Sequence, residues 1–155
     1  MELYIDDNQS KVNIGEDIEK ELFRVVKKVL EIENIAKEYE ISISFVDNET
    51  IKKLNRDYRG VDMDTDVLSF PLEDNIDVGG PTLLGDIIIS LEKALEQSKD
   101  FGHTLEREIA YLTVHSMLHL LGYDHMEEEE KFIMRSKEKE IMKQLGIFKK
   151  EKEES

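Results

Sequence analysis

Three of the chain's four histidines fall within eleven residues, His115-Ser116-Met117-Leu118-His119-Leu120-Leu121-Gly122-Tyr123-Asp124-His125. No other stretch constrains the fold as much. His115 and His119 are four apart, so on a helix they project from one face, a turn from each other. Gly122 ends that helix, because glycine takes the left-handed conformation past the last turn without a Cβ penalty. The turned chain can then bring His125 back toward the other two. Three imidazoles converging on one point, with a fourth direction open, is the geometry of a catalytic zinc site.

The spacing H-x3-H-x2-G-x2-H also occurs in metzincin proteases, where glutamate follows the first histidine and acts as general base. Here that position is Ser116. A hydroxyl whose pKa lies far above neutral cannot take a proton as a carboxylate does. The metal scaffold is present and the proteolytic base is not. Two ordinary helix histidines and a third in a turn would leave the placement of Gly122 unexplained. A purely structural zinc is closed by four protein ligands, usually with cysteines among them, and the chain has no cysteine. Asp124, beside the third histidine, is a candidate to accept a hydrogen bond from a ligand imidazole. Glu108 and Tyr111 fall on the His115 face of the helix and are expected as ion-pair or core residues, with the same backing role as the alternative. His103 lies outside the spacing and is expected at the helix entry or on the surface.

The rest of the chain supplies a scaffold of mixed type. Leu3–Ile5 reads as a short strand. Ile18, Leu22, Val25, Val26, Val29 and Leu30 form one apolar helical stripe after Gly15. Residues 41–46 alternate with period two, as a strand with one buried face does. Asp47 or Asn48 can cap a helix carrying Ile51 and Leu54 that runs out near Gly60. A strand at 66–70 is expected to stop at Pro71. After a polar loop with a turn at Gly79-Gly80-Pro81, Leu83–Ile89 is apolar enough to be a central strand. Ser90 can cap a helix through Ser98, Thr104 opens the helix bearing the histidines, and residues 126–145 form a last helix ended by Gly146. The order β, α, β, α, β, β, α, α, α predicts an α+β fold. It has a small mixed four-stranded sheet, helices mainly on one face and a zincin-like metal helix. Residues 1–148 are expected to be one domain, with a charged, frayed tail at 149–155.

Asp62, Asp64, Asp66 and Glu73 match positions 1, 3, 5 and 12 of a calcium-binding EF-hand loop. Position 6, which needs glycine for a sharp turn, is Val67, so calcium is rejected there. The absence of cysteine suits a reducing cytosol. The N-terminus reads as no signal peptide, having neither a basic region nor a long apolar run. No apolar run approaches the ~20 residues that cross a bilayer. The formal net charge of −15 repels polyanions at long range, so binding to nucleic acid requires positive charge concentrated in a cleft, from Arg56, Arg59 and a metal.

Two stretches taken together resemble the YbeY family of bacterial rRNA maturation factors. One is Leu54-Asn55-Arg56-Asp57-Tyr58-Arg59-Gly60-Val61-Asp62-Met63-Asp64-Thr65-Asp66-Val67-Leu68-Ser69-Phe70-Pro71. The other is the histidine stretch, with Leu84-Gly85-Asp86-Ile87 between them. The resemblance runs from about Leu3 to Gly146. It implies a metal-dependent, single-strand-specific endoribonuclease in the cytoplasm, acting in 16S rRNA 3′-end maturation and ribosome quality control. His115, His119 and His125 would carry one Zn²⁺, with Ni²⁺ or Co²⁺ as possible substitutes. Arg59 would be the catalytic arginine, the functional member of the family's Tyr-Arg pair, and the chain's partners would be single-stranded 16S rRNA and the ribosome or ribosomal proteins. The family has glycine after the first histidine, so Ser116 is a departure expected to narrow the clearance near the metal.

The chemistry agrees in one respect. Phosphodiester cleavage needs charge stabilised on non-bridging oxygens, and a Lewis acid with an arginine fork provides that. Without the resemblance, Arg59 reads as a surface ion pair with Asp57 or Asp62. The nucleophile stays open between metal-activated water and the RNA's own 2′-hydroxyl, and so do the cleavage site and the oligomeric state. Two other readings compete. A protease-like metallohydrolase would turn over casein in a chelator-sensitive way. A non-catalytic, zinc-stabilised ribosome assembly factor would melt on chelation with no nuclease activity to lose.

Overall fold

The alternation at 41–46 is the start of the sheet. In β2 (Tyr39–Val46), Ile41, Ile43 and Phe45 are fully buried while Ser42 and Ser44 face the other way, as a period-two strand requires. The computed structural model describes residues 1–72 and 80–147, and its elements follow the predicted order. β1 (Glu2–Asp7), α1 (Ile18–Ile32), β2 and α2 (Asn48–Arg59) come first. β3 (Val67–Pro71), β4 (Thr82–Ser90), α3 (Leu91–Phe101), α4 (Leu105–Leu120) and α5 (Glu128–Gln144) follow. The last helix therefore begins two residues later than the sequence pattern suggests. The 149–155 tail, Gly79 and Glu73 lie outside the described residues.

The sheet order is β1-β2-β4-β3. β1, β2 and β4 are parallel, and β3 runs antiparallel to β4, so the sheet is mixed and β4 is interior as its apolar composition predicts. β3 ends at Pro71, one residue later than the sequence pattern suggests: Pro71 is its last residue and pairs with Gly85, and the Leu72 N–H adds one more bond to the Leu84 carbonyl at 3.0 Å. Proline fits because its missing N–H points to the outer edge of an edge strand, where no ladder bond is lost.

The main core lies on one face of the sheet. Ile41, Ile43, Phe45, Ile87 and Ile89 meet the α1 stripe of Leu22, Val25, Val26 and Val29, together with α4 and the buried side of α5. α2 is the exception among the helices. It covers the opposite face with Ile51 and Leu54 against Leu68, Phe70 and Ile88. The caps behave as local chemistry dictates: Ser90 and Thr104 side chains accept the Lys93 and Arg107 N–H groups at the starts of α3 and α4.

α4 is the centre of the packing. From Ile109 to Leu120 it is buried on nearly every side, and only Tyr111, His115 and His119 are left partly open. These are successive i, i+4 positions, one narrow window on an otherwise enclosed helix. The end of α4 presses on β4 at Gly85. A Cβ there would lie 2.5 Å from the Phe70 carbonyl oxygen and 2.6 Å from Leu120 Cδ2.

Gly85→Ala should therefore destabilise the fold by about 1–3 kcal/mol, the usual cost of overpacking a closed site. Urea unfolding of the variant, compared with the wild-type protein at the same pH, measures it.

Candidate metal centre

The window on α4 points two imidazoles into a cleft, and the chain after α4 brings the third. Gly122 has φ 106°. The Gly122 N–H reaches the His119 carbonyl (3.0 Å) and the Tyr123 N–H reaches that of Leu118 (2.9 Å). This pair of reversed bonds is the Schellman termination, which needs a left-handed residue at Gly122. Tyr123 then anchors the descending loop, its hydroxyl donating to Glu33 Oε1 at 2.5 Å, with Lys137 ion-paired to Glu33 at 3.1 Å. His125 arrives with its ring centroid 5.5 Å from His115 and 4.8 Å from His119. One ring nitrogen from each of the three lies within 4.8 Å of the other two.

The donor atoms are prepared for a cation. The His115 Nδ1–H donates to Glu138 Oε2 at 2.5 Å. A carboxylate only accepts, so the proton sits on Nδ1 and Nε2 keeps its lone pair. The His119 Nδ1–H likewise donates to the Tyr123 carbonyl at 3.0 Å. Fixing the tautomer through the other ring nitrogen is how proteins orient metal-binding histidines. Burial lowers the His119 pKa, and the neighbouring His115 and His125 lower it further. The neutral form, which metal binding requires, is thus favoured.

Glu138 is the functional residue that sequence reasoning missed. It is 4% exposed, and its second oxygen accepts from the Tyr111 hydroxyl at 2.9 Å, so both carboxylate oxygens are occupied. Burial, followed by the charge of Glu138, pushes the Tyr111 pKa well up, keeping the phenol a donor. A signal for it existed: Met134, Glu138, Ile141 and Met142 form the buried stripe of α5, and a glutamate in such a stripe needs a partner. Asp124 does not take this part. Its Oδ1 accepts the backbone N–H of His125 at 2.7 Å rather than an imidazole proton, steadying the loop instead of the ring.

The other sequence candidates are placed as follows. His103 is at the helix entry but not on the surface: its side chain is 3% exposed and bonds Glu108 at 2.6 Å. Burial raises the Glu108 pKa against the opposing effect of that bond. Ser116 is fully buried and hydrogen-bonded to Ser69 of β3. Its side chain ties α4 to the sheet and is absent from the cleft lining, so the expected loss of clearance does not arise. Val67 opens a strand and Asp64 pairs with Lys93 at 3.4 Å, which closes the calcium reading.

Arg59, the last residue of α2, lines the same cleft of about 560 Å³ as His115, His119, His125 and β3. Its Nη1 lies 3.4 Å from Asn55 Oδ1. Asn55 is itself buried and donates to the Met63 carbonyl at 3.0 Å. The expected rival, an ion pair with Asp57 or Asp62, does not form: Arg56 takes Asp57 at 3.3 Å. No carboxylate among the described residues is ion-paired to Arg59, which leaves its fork available to an anion.

Glu138→Gln keeps the shape of the side chain and removes the charge behind His115. Metal affinity, read by competition with a chromophoric chelator, should fall about 10- to 100-fold. Tyr111→Phe should cost less, because the carboxylate remains.

The model of the family described as Endoribonuclease YbeY matches residues 4–146. The chain is 54% identical to Endoribonuclease YbeY of Thermoanaerobacter sp. (strain X514), over 95% of this chain and 99% of that one. It is 47% identical to Endoribonuclease YbeY of Clostridium botulinum (strain 657 / Type Ba4), over 94% and 98%. A solution structure of TM1509 from Thermotoga maritima superposes with a TM-score of 0.63 at 28% identity, covering 92% of this chain and 88% of that one. Sequence and fold agree across nearly the whole chain, and the protein belongs to the Endoribonuclease YbeY family.

Proposed function

We propose that this chain is a metal-dependent endoribonuclease that cleaves single-stranded RNA in maturation of the 16S rRNA 3′ end and in ribosome quality control. The observation that carries the reading is the meeting in one cleft of three imidazoles, two of them oriented by hydrogen bonds, and an arginine with no ion-pair partner among the described residues. The donor set, three imidazole nitrogens with two of the rings fixed by hydrogen bonds, fits Zn²⁺, with Ni²⁺ or Co²⁺ as substitutes. When bound at His115, His119 and His125, the ion supplies Lewis acidity for a phosphoryl oxygen and lowers the pKa of water.

The chain's own residues do the rest. Arg59 holds the phosphate through its planar fork, which matches two oxygens at once. Its position at the end of α2 is set by Asn55. Glu138 and Tyr111 hold the His115 ring, and the Tyr123 carbonyl holds that of His119. Asp66 and Asp124, the carboxylates lining the cleft, accept backbone N–H groups. Ser116 cannot replace the protease glutamate, being buried against Ser69, which weighs against a peptidase. With a net charge of −15, attraction to RNA must come from this cleft, or the RNA must be delivered on the ribosome by a protein. No helix among the described residues is long and apolar enough to cross a membrane, and the absence of cysteine supports work in the cytoplasm.

His115→Ala and Arg59→Glu should each abolish cleavage of a single-stranded RNA oligomer, with the arginine variant retaining wild-type thermal stability. Normal cleavage by Arg59→Glu would remove arginine from the mechanism. Chelation should stop cleavage and Zn²⁺ should restore it. Zinc should also raise the melting temperature, since saturation to 100 times Kd adds about 2.7 kcal/mol. A shift in melting without any RNA cleavage would favour the assembly-factor reading. Finally, KM for naked RNA should rise steeply with salt, as phosphate contacts demand.

A further inference from the structure

The wall of the cleft facing α4 is the outer edge of β3, and its hydrogen-bonding groups are unevenly spent. The phase of the ladder is set at both ends: the Ser90 N–H donates to the Asp66 carbonyl at 2.9 Å and the Leu72 N–H to that of Leu84 at 3.0 Å. With the register Val67↔Ile89 through Pro71↔Gly85, residues 66, 68, 70 and 72 turn their backbone groups toward β4. Antiparallel pairing alternates, so Val67, Ser69 and Pro71 turn theirs away from the sheet. All three line the cleft with Arg59 and the histidines.

A bare strand edge offers donors and acceptors equally, which invites another strand to pair with it. This one does not. The Val67 N–H is taken by Asp66 Oδ1 at 2.7 Å, and Pro71 has no N–H to give. Among the described residues, what remains without a hydrogen-bond partner is one donor, the Ser69 N–H, and three acceptors, the carbonyls of Val67, Ser69 and Pro71. They recur on alternate residues, about every 6.7 Å along the strand.

A peptide strand finds two of its three donor positions missing and pairs poorly. Phosphate oxygens only accept hydrogen bonds, so the carbonyls repel them toward Arg59, the metal site and the single Ser69 N–H. In a ribose–phosphate backbone the donor is the 2′-hydroxyl, which DNA lacks. We propose that the outer edge of β3 reads ribose. The carbonyls of Val67, Ser69 and Pro71 accept hydrogen bonds from 2′-hydroxyls of a strand whose phosphate lies at Arg59, and so select RNA over DNA. The inference rests on the endoribonuclease reading and deepens it. It places RNA preference in binding, at nucleotides beside the cleaved bond, separately from any part a 2′-hydroxyl plays in the cleavage step.

The test uses the full metal-loaded chain and one oligonucleotide sequence whose cleavage position has been mapped as RNA. A chimera keeps ribose only at the cleaved nucleotide and carries deoxyribose elsewhere. Its KM should rise about three- to tenfold for each hydroxyl lost from the wall, with kcat changed less. Placing 2′-fluorine at the flanking positions restores an RNA-like sugar without a donor, and it should not restore KM. Amide hydrogen exchange at Ser69 should slow on adding the RNA oligomer and slow less on adding the DNA one at the same concentration, because DNA binds more weakly without the hydroxyls. Equal KM for RNA and chimera, rescue by fluorine, or no protection at Ser69 overturns the proposal. So does an extended peptide that protects Ser69 and competes with RNA, because it would assign the edge to a protein strand. A chain that cleaves no RNA at all fails the endoribonuclease reading itself, whereas cleavage of RNA and chimera with equal KM fails only the ribose wall.

Discussion

Everything at the site depends on how α4 is buried. A helix packed on most of its circumference by α1, α3, α5 and the sheet cannot rotate or slide without opening a dense interior. His115 and His119 inherit that rigidity, because they occupy the one stripe left open. Two close approaches hold the register of α4 on the sheet. Leu120 lies where only Gly85 leaves room, and the Ser116 hydroxyl meets that of Ser69 across to β3. The departure from glycine at position 116 is thus a structural contact beneath the site, and the metal side is untouched by it.

The second layer of the site is built from distant parts of the chain. The ring of His115 is backed from α5, the ring of His119 from the loop it leads into, and the His125 loop from α1 through Tyr123 and Glu33. Each is a buried or half-buried polar contact with a defined partner, the condition under which such groups add order instead of cost. Glu138 is the clearest case. A buried carboxylate with one oxygen on a phenol and the other on an imidazole has both oxygens hydrogen-bonded in place of water, and it makes the imidazole more basic toward a cation.

Electrostatics and hydrogen bonding divide the cleft into two sides. Arg59 and the three imidazoles, which could hold a metal ion, are suited to the anionic part of a substrate, while the carbonyl edge of β3 is suited to donors. A chain this acidic overall gains selectivity from the contrast. Away from the cleft its field disfavours nucleic acid, so attraction is confined to where the chemistry would occur.

Much of this was legible from neighbouring residues alone. Apolar periodicity marked the elements in order, Ser90 and Thr104 announced their helices, and the histidine spacing with Gly122 announced the site. All of these are short-range effects, in which a residue's propensity or cap acts within a turn or two of itself. Other features were decided only when distant segments met. Glu138 became the partner of His115, Asp124 turned to its own backbone, His103 was buried against Glu108, and Pro71 took the last paired position of an edge strand. Arg59 came to share a cleft with residues more than fifty positions away. No local rule encodes these outcomes, because each is the solution to satisfying a buried polar group or filling a volume whose walls come from separate parts of the chain.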